Sequence, residues 1–310
     1  MKKKFIVLFT LLSLGMSAWA QKEYRLAKNT GRLNLNINGV IVEGYNGNEI
    51  IFSSQKKEDE VVDERAKGLK AISGSGFTDN TGLGIDVSVN GQDINVNTVN
   101  KGLNGILSIK VPQNIKISFS NTNNLYSDEV ILKNLKNEIE VSTTYNKIKL
   151  ENNTGPMNIK TVYGSVDASF TGDIKGPVSI ISVYNYVDVT LPVATKANVD
   201  LGTSYGKLYA ADEFKIAIDK SRSSEEKPGS SSSVNVYVNG TKTNVSKLSD
   251  KKTDEDGPVV NNYKSNGGTA IVIKGYGGYR EGENIKGTIN GGGIDLILKS
   301  KYKNVYLRQK

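Results

Sequence analysis

Two carboxylates in this chain stand where they could do chemistry together. Asp167 and Asp188 occupy the same position in two successive copies of a repeated segment. If the copies stack, the two side chains become neighbours. Carboxylates that close share a proton, bind a cation, or are neutralised by surrounding charges. The first two outcomes suit an acid/base or calcium-assisted lyase or hydrolase acting on a polysaccharide. The third makes them part of a charge-alternating surface. Lys149 and Lys207 lie one copy to either side, in place to neutralise them. This plainer reading is the one the sequence favours. Tyr186 and Tyr209 share the same outward-facing rows. Asp167, Asp188, Tyr186 and Tyr209 are therefore the candidate binding residues of the surface, and no catalytic or metal-ligating residue is assigned.

The rest of the chemical inventory is sparse. The chain has no His and no Cys. Ser-His-Asp and Cys-His catalysis are thereby excluded, as are most zinc sites, disulfides and a lipid-modified Cys. Gly74-Ser75-Gly76 and Gly82-Leu83-Gly84 lack the context of a phosphate-binding loop. Asp254-Glu255-Asp256-Gly257 lacks the ligand spacing of a calcium loop and reads as a solvated acidic turn. No cofactor is expected.

Positioning falls to five segments, 139–150, 157–168, 178–189, 199–210 and 296–307. Each reads apolar-x-apolar-x-(Ser/Thr)-x-Tyr, then a turn, then x-apolar-x-apolar. Tyr145, Tyr163, Tyr184 and Tyr205 are spaced by 18, 21 and 21 residues, and Tyr302 holds the same place in the fifth copy. Strand alternation inside a period near 20 specifies a solenoid that stacks one coil per copy. Equivalent residues then lie about 4.8 Å apart, the strand spacing. Two aliphatic ladders, a hydroxyl ladder (Thr143, Thr161, Ser182, Thr203, Ser300) and a tyrosine ladder are expected on the inner side, with the tyrosine hydroxyls at the rim. The hydroxyls should bond between coils near the corner. The tyrosines read either as a platform for sugar rings or, preferably, as corner packing. The next residue is Asn146, Gly164, Asn185, Gly206 or Lys303. Asn and Gly tolerate a left-handed backbone, so a corner is expected there. Lys303 departs from the pattern in the last copy, where terminal repeats are commonly irregular.

Elsewhere, 32–52 reads as strand, turn, strand, and alternation returns over 82–119. The charged run 55–64, with 65–69, reads as one short helix or a solvated excursion. From 219 to 268 the chain turns polar and Ser-rich, as a partly disordered insertion, and 269–310 resumes the strand pattern to complete the same solenoid. Residues 21–218 form its main part.

Residues 1–20 carry Lys2, Lys3 and Lys4, an apolar run, and Ala18-Trp19-Ala20 before Gln21. That pattern is a secretory signal peptide, too short for a membrane span. Without its three lysines the net charge falls from +8 to +5. No Lys/Arg cluster is interleaved with aromatics, so nucleic acid is not an expected partner. No later segment is apolar enough for a transmembrane helix. The chain is expected to be exported, to the periplasm or the cell surface.

The Tyr-Gly/Asn-x-Val/Ile copies, Leu191-Pro192, the stretch Asn290-Gly291-Gly292-Gly293-Ile294-Asp295-Leu296 and the ending 300–307 resemble the DUF4097-type "putative adhesin" family, exported β-solenoid proteins of Bacteroidota-like bacteria. The resemblance implies no catalytic residues. The expected fold is all-β, a parallel β-helix-like solenoid with coils of about 20 residues and few or no helices. The expected function is a non-enzymatic cell-envelope protein, an adhesin binding a glycan or an envelope or host protein. A polysaccharide lyase or hydrolase on the same scaffold and a purely structural spacer are the alternatives.

Overall fold

The computed structural model describes residues 22–54, 64–99, 106–219 and 282–310, and the backbone of four short strands between 236 and 274. The expected signal peptide, residues 1–20, and most of the polar insertion lie outside the described residues. Of the charged run, only the end is described, as a single 3-10 turn at Glu64–Ala66.

The strands run β1 (Lys22–Leu26), β2 (Gly31–Asn36), β3 (Val40–Tyr45), β4 (Ile50–Ser54), β5 (Ile85–Asn90), β6 (Asp93–Thr98), β7 (Leu107–Pro112), β8 (Ile115–Asn121) and β9 (Val130–Lys133). The repeats supply β10 (Ile139–Thr143), β11 (Ile148–Glu151), β12 (Met157–Thr161), β13 (Val166–Ser169), β14 (Val178–Ser182), β15 (Val187–Leu191), β16 (Ala197–Thr203) and β17 (Leu208–Ala210). Then come β18 (Ala217–Ile218), β19 (Val236–Val238), β20 (Thr241–Thr243), β21 (Val259–Ser265), β22 (Gly268–Lys274), β23 (Glu283–Ile289), β24 (Ile294–Ser300) and β25 (Val305–Gln309).

The protein is a β-helix-like solenoid of two large, mostly parallel sheets. One has ten strands in the order β1-β4-β7-β3-β9-β11-β13-β15-β25-β17, and the other eleven in the order β18-β23-β16-β24-β14-β12-β10-β8-β2-β6-β5. Each coil gives one strand to each sheet. The alternating apolar residues of both strands face inward and stack in register: Ile139 on Met157, Met157 on Val178, Ile148 on Val166, Val166 on Val187. All are buried, and each such side chain contributes roughly 1.5–3 kcal/mol of burial. With no disulfide, these ladders and the backbone bonds carry the stability.

The coils do not stack in sequence order. The coil β24–β25 lies between β14–β15 and β16–β17, with parallel partners on both sides in both sheets. At the other end β2–β3 lies between β6–β7 and β8–β9. The outermost coils are then closed by antiparallel strands: β5 on β6, β4 on β7 with β1 on β4, and β23 on β16 with β18 on β23. The fifth copy is therefore an interior coil. The explanation of Lys303 as end irregularity is corrected by this order.

The corners also differ from expectation. None of Asn146, Gly164, Asn185, Gly206 and Lys303 has a positive φ. Glycine is needed at Gly164 and Gly206 for another reason. A Cβ on Gly164 would lie 1.8 Å from the carbonyl oxygen of Asn146, and one on Gly206 2.2 Å from that of Lys303. The coils approach here backbone to backbone.

Candidate functional site

The corner between the two sheets is built by the hydroxyl ladder. Oγ of Thr161, Ser182, Thr203 and Ser300 accepts the N–H of Gly164, Asn185, Gly206 and Lys303 at 3.1, 3.2, 2.9 and 3.0 Å. Three of these hydroxyls donate onward to the neighbouring coil: Ser182 to the Gly164 carbonyl, Ser300 to that of Asn185, Thr203 to that of Lys303. All are buried, so each bond is made away from competing water.

The tyrosines fall outside this corner. The strand ends at Thr143 or its equivalent, alternation stops in the turn, and Tyr145, Tyr163 and Tyr205 are exposed. An inner tyrosine ladder is therefore corrected to an outer one. Tyr145, Tyr163, Tyr184, Tyr302 and Tyr205 form one column, with successive centroids 4.8, 4.8, 4.7 and 5.0 Å apart and planes within 12°. Burial and the neighbouring Tyr302 and Tyr163 raise the pKa of Tyr184. In such a column each ring face covers the next. Sugar rings stack on aromatic faces, and the column offers edges except at its ends.

The four surface candidates lie together on the outer face of the ten-strand sheet. Asp167 and Asp188 are register partners. Asp188 is next to Tyr306, and Tyr306 next to Tyr209. Arg308 donates Nε–H to both oxygens of Asp188 at 2.8 and 2.9 Å. That bond and charge raise the pKa of Arg308. Asp167 accepts the Tyr186 hydroxyl at 3.2 Å and faces Lys147 at 3.7 Å. Burial alone would lower the pKa of Lys147, but Asp167 and Glu129 outweigh it and raise the value. The expected neutralising pair is thus corrected. Lys149 stands in register with Asp167, yet its ammonium bonds Glu151 at 2.7 Å. Lys207 is separated from Asp188 by the interposed β25.

Tyr306 and Arg308 join the site without having been singled out by the repeat pattern: Arg308 lies one residue beyond the last copy. The fifth copy carries Tyr306 at the place of Asp188. Tyr306 stacks on Tyr209 at 5.3 Å and 10°, meets the edge of Tyr186 at 6.5 Å, and has the Arg308 guanidinium 5.1 Å from its centroid. β17 is the sheet edge, so among the described residues no strand lies beyond the far face of Tyr209.

A second titratable group lies on the outer side of the eleven-strand sheet. Glu140 is ion-paired with Arg32, and burial raises its pKa against the opposing charge of Arg32. Burial lowers the pKa of Lys160, with Glu140 partly opposing.

The class defined by this architecture is a two-sheet β-solenoid. No family model matches the chain, and no curated protein matches it. One solved structure it matches is a "putative cell adhesion protein" from Clostridium sporogenes ATCC 15579, at 12% identity, over 94% of this chain and 100% of that one, with a TM-score of 0.37. Among the described residues, no helix is long and apolar enough to cross a membrane.

Proposed function

We propose that the chain is an exported, non-enzymatic envelope protein that recognises a surface ligand through the outer face of its ten-strand sheet, as the resemblance to the adhesin family implies. One observation carries the reading. Both carboxylates of that face are held by neighbours, Asp188 by Arg308 and Asp167 by Tyr186 and Lys147, beside the stacked pair Tyr209–Tyr306. A general acid or base must be free to reach a substrate proton. Here the charges fix aromatic side chains instead, and rigid aromatics next to an arginine suit binding energy at low entropic cost.

The test is a thermal-shift screen of the purified protein against envelope polysaccharides, host glycans and calcium, with each hit assayed for released fragments. Stabilisation without product, lost in Tyr209→Ala and Arg308→Ala, is expected. Fragments released by the protein and absent with an Asp167→Asn, Asp188→Asn double variant would establish the lyase or hydrolase instead.

A further inference from the structure

The chain leaves the solenoid after β18 and re-enters it at β23, both at one edge of the eleven-strand sheet. Between them, β21 and β22 pair antiparallel and form a two-stranded sheet of their own. Such a hairpin alone is at best marginally stable in water and needs a surface to pack on. Ala270, Ile271, Val272 and Ile273 are consecutive in β22. Successive residues of a strand fall on opposite faces, so neither face of this hairpin is purely polar.

The eleven-strand sheet offers that surface. Cα atoms of β22 come within 8 Å of those of β8 and β10. Both of these strands already have a partner on each side, so β22 approaches them across the sheet and not along an edge. The inner face is filled by the core, which leaves the outer one. Outer residues there are covered. Oγ of Ser142 on β10 is buried with no hydrogen-bond partner. Lys160 stands in register with Ser142 on β12, and burial lowers its pKa. Among the described residues its ammonium makes no hydrogen bond and no ion pair. The side chain of Arg32, paired with Glu140, is 18% exposed, whereas that of Arg308, paired with Asp188 on the outer face of the other sheet, is 56% exposed. The return path agrees with this placement. Extended chain from Lys274 to Glu283 spans at most about 30 Å. β10 lies five strands along the sheet from β23, about 24 Å away at the usual strand spacing.

We infer that the hairpin β21–β22 docks on the outer face of the eleven-strand sheet over β8 and β10, so that this face is an interaction surface occupied by the chain's own segment 259–274. The tether decides the occupant. A segment joined at both ends to the edge of that sheet has a high effective concentration over it, which a separate molecule lacks. Desolvating Lys160 opposes docking, and removing an apolar strand from water favours it. The face shares no residue with the Tyr209–Arg308 face, which belongs to the other sheet. The docked hairpin therefore leaves the proposed recognition surface open, and the two proposals stand or fall separately.

The protein has no Cys, so one introduced thiol reports on one place. The experiment compares maleimide labelling rates of Ser142→Cys, beneath the docked hairpin, and Ser88→Cys, exposed on the edge strand β5 of the same sheet. In the whole chain Ser142→Cys should react at least about tenfold more slowly, as a site reached only through local opening does. Deleting 259–274 should bring its rate to within about threefold of the Ser88→Cys rate. The triple change Ile271→Ser, Val272→Ser, Ile273→Ser keeps the chain length and should do the same. Circular dichroism melts check that the solenoid of each variant is intact. Equal rates for the two thiols in the whole chain would overturn the inference. So would protection that persists in both variants, or that is lost on dilution as cover by a second copy would be.

Discussion

Gly164→Ala is a one-carbon change that tests how the coils are held apart. The added Cβ would lie 1.8 Å from the Asn146 carbonyl oxygen, 2.7 Å from its carbon and 2.7 Å from Thr161 Oγ1. Two of those atoms are backbone of the adjacent coil and cannot step aside as a side-chain tip can. Relief requires separating the coils or rotating the corner peptide. Either movement strains two bonds, Gly164 N–H to Thr161 at 3.1 Å and Ser182 to the Gly164 carbonyl at 2.8 Å. Overpacking costs about 1–3 kcal/mol, and a net hydrogen bond about 1 kcal/mol. The expected loss is about 3 kcal/mol, which in a domain of this size lowers Tm by roughly 6–10 °C. Gly172 is the control, because a Cβ there meets nothing within 4 Å and its φ is not positive. Gly172→Ala should be neutral or stabilising by up to about 1 kcal/mol through the unfolded chain. Circular dichroism melts of the three proteins decide the matter. Equal melting of Gly164→Ala and Gly172→Ala would refute the close-approach account of the corner.

Three further outcomes are expected. Phe214, fully buried at the end where β17 leads to β18, closes the core, and Phe214→Ala should cost about 4 kcal/mol in urea denaturation. Burial pushes the Asp79 carboxyl up, but N–H donors of Gly84, Thr81 and Gly82 and the Thr81 hydroxyl outweigh it and hold its pKa below the usual value. A depressed carboxylate stabilises above its unfolded pKa of about 3.9 and loses that contribution as pH falls through the folded value. The stability gap between wild type and Asp79→Asn should therefore be full at pH 7 and shrink below about pH 4, read from denaturation midpoints. Deleting 294–310 removes the coil that separates β14–β15 from β16–β17, and the truncated chain should lose cooperative unfolding rather than fray at one end.

Much of the fold was legible because solenoid physics writes itself as a period. Ile139, Val141, Ile148 and Leu150 alternate at strand spacing and recur at coil spacing, and the same spacing located the hydroxyl ladder. What failed to show was anything dependent on coil order. A period says that copies stack but not which copy neighbours which, so β25 between β15 and β17 could not be read, nor Arg308 as the partner of Asp188. The tyrosines were assigned to the wrong side because alternation was carried past Thr143, where the backbone had left the strand. The corner glycines showed a special position without showing that its cause was contact rather than φ. The Arg32–Glu140 pair joins residues 108 apart, beyond any local pattern.

The interior placement of the last coil has a mechanical consequence. Pulling on Lys310 loads β25 along its own axis between two parallel neighbours, five residue pairs to β15 and three to β17, so the bonds of both ladders resist in shear at once. At the other end, β1 is an edge strand held on one side only, by five pairs to β4. Under tension between β1 and β25 the molecule is expected to yield at β1 first, leaving the coils that carry the Tyr209–Arg308 face assembled after the first rupture. If the outer face of the ten-strand sheet recognises a ligand as proposed, the chain can lengthen at β1 before that face is lost.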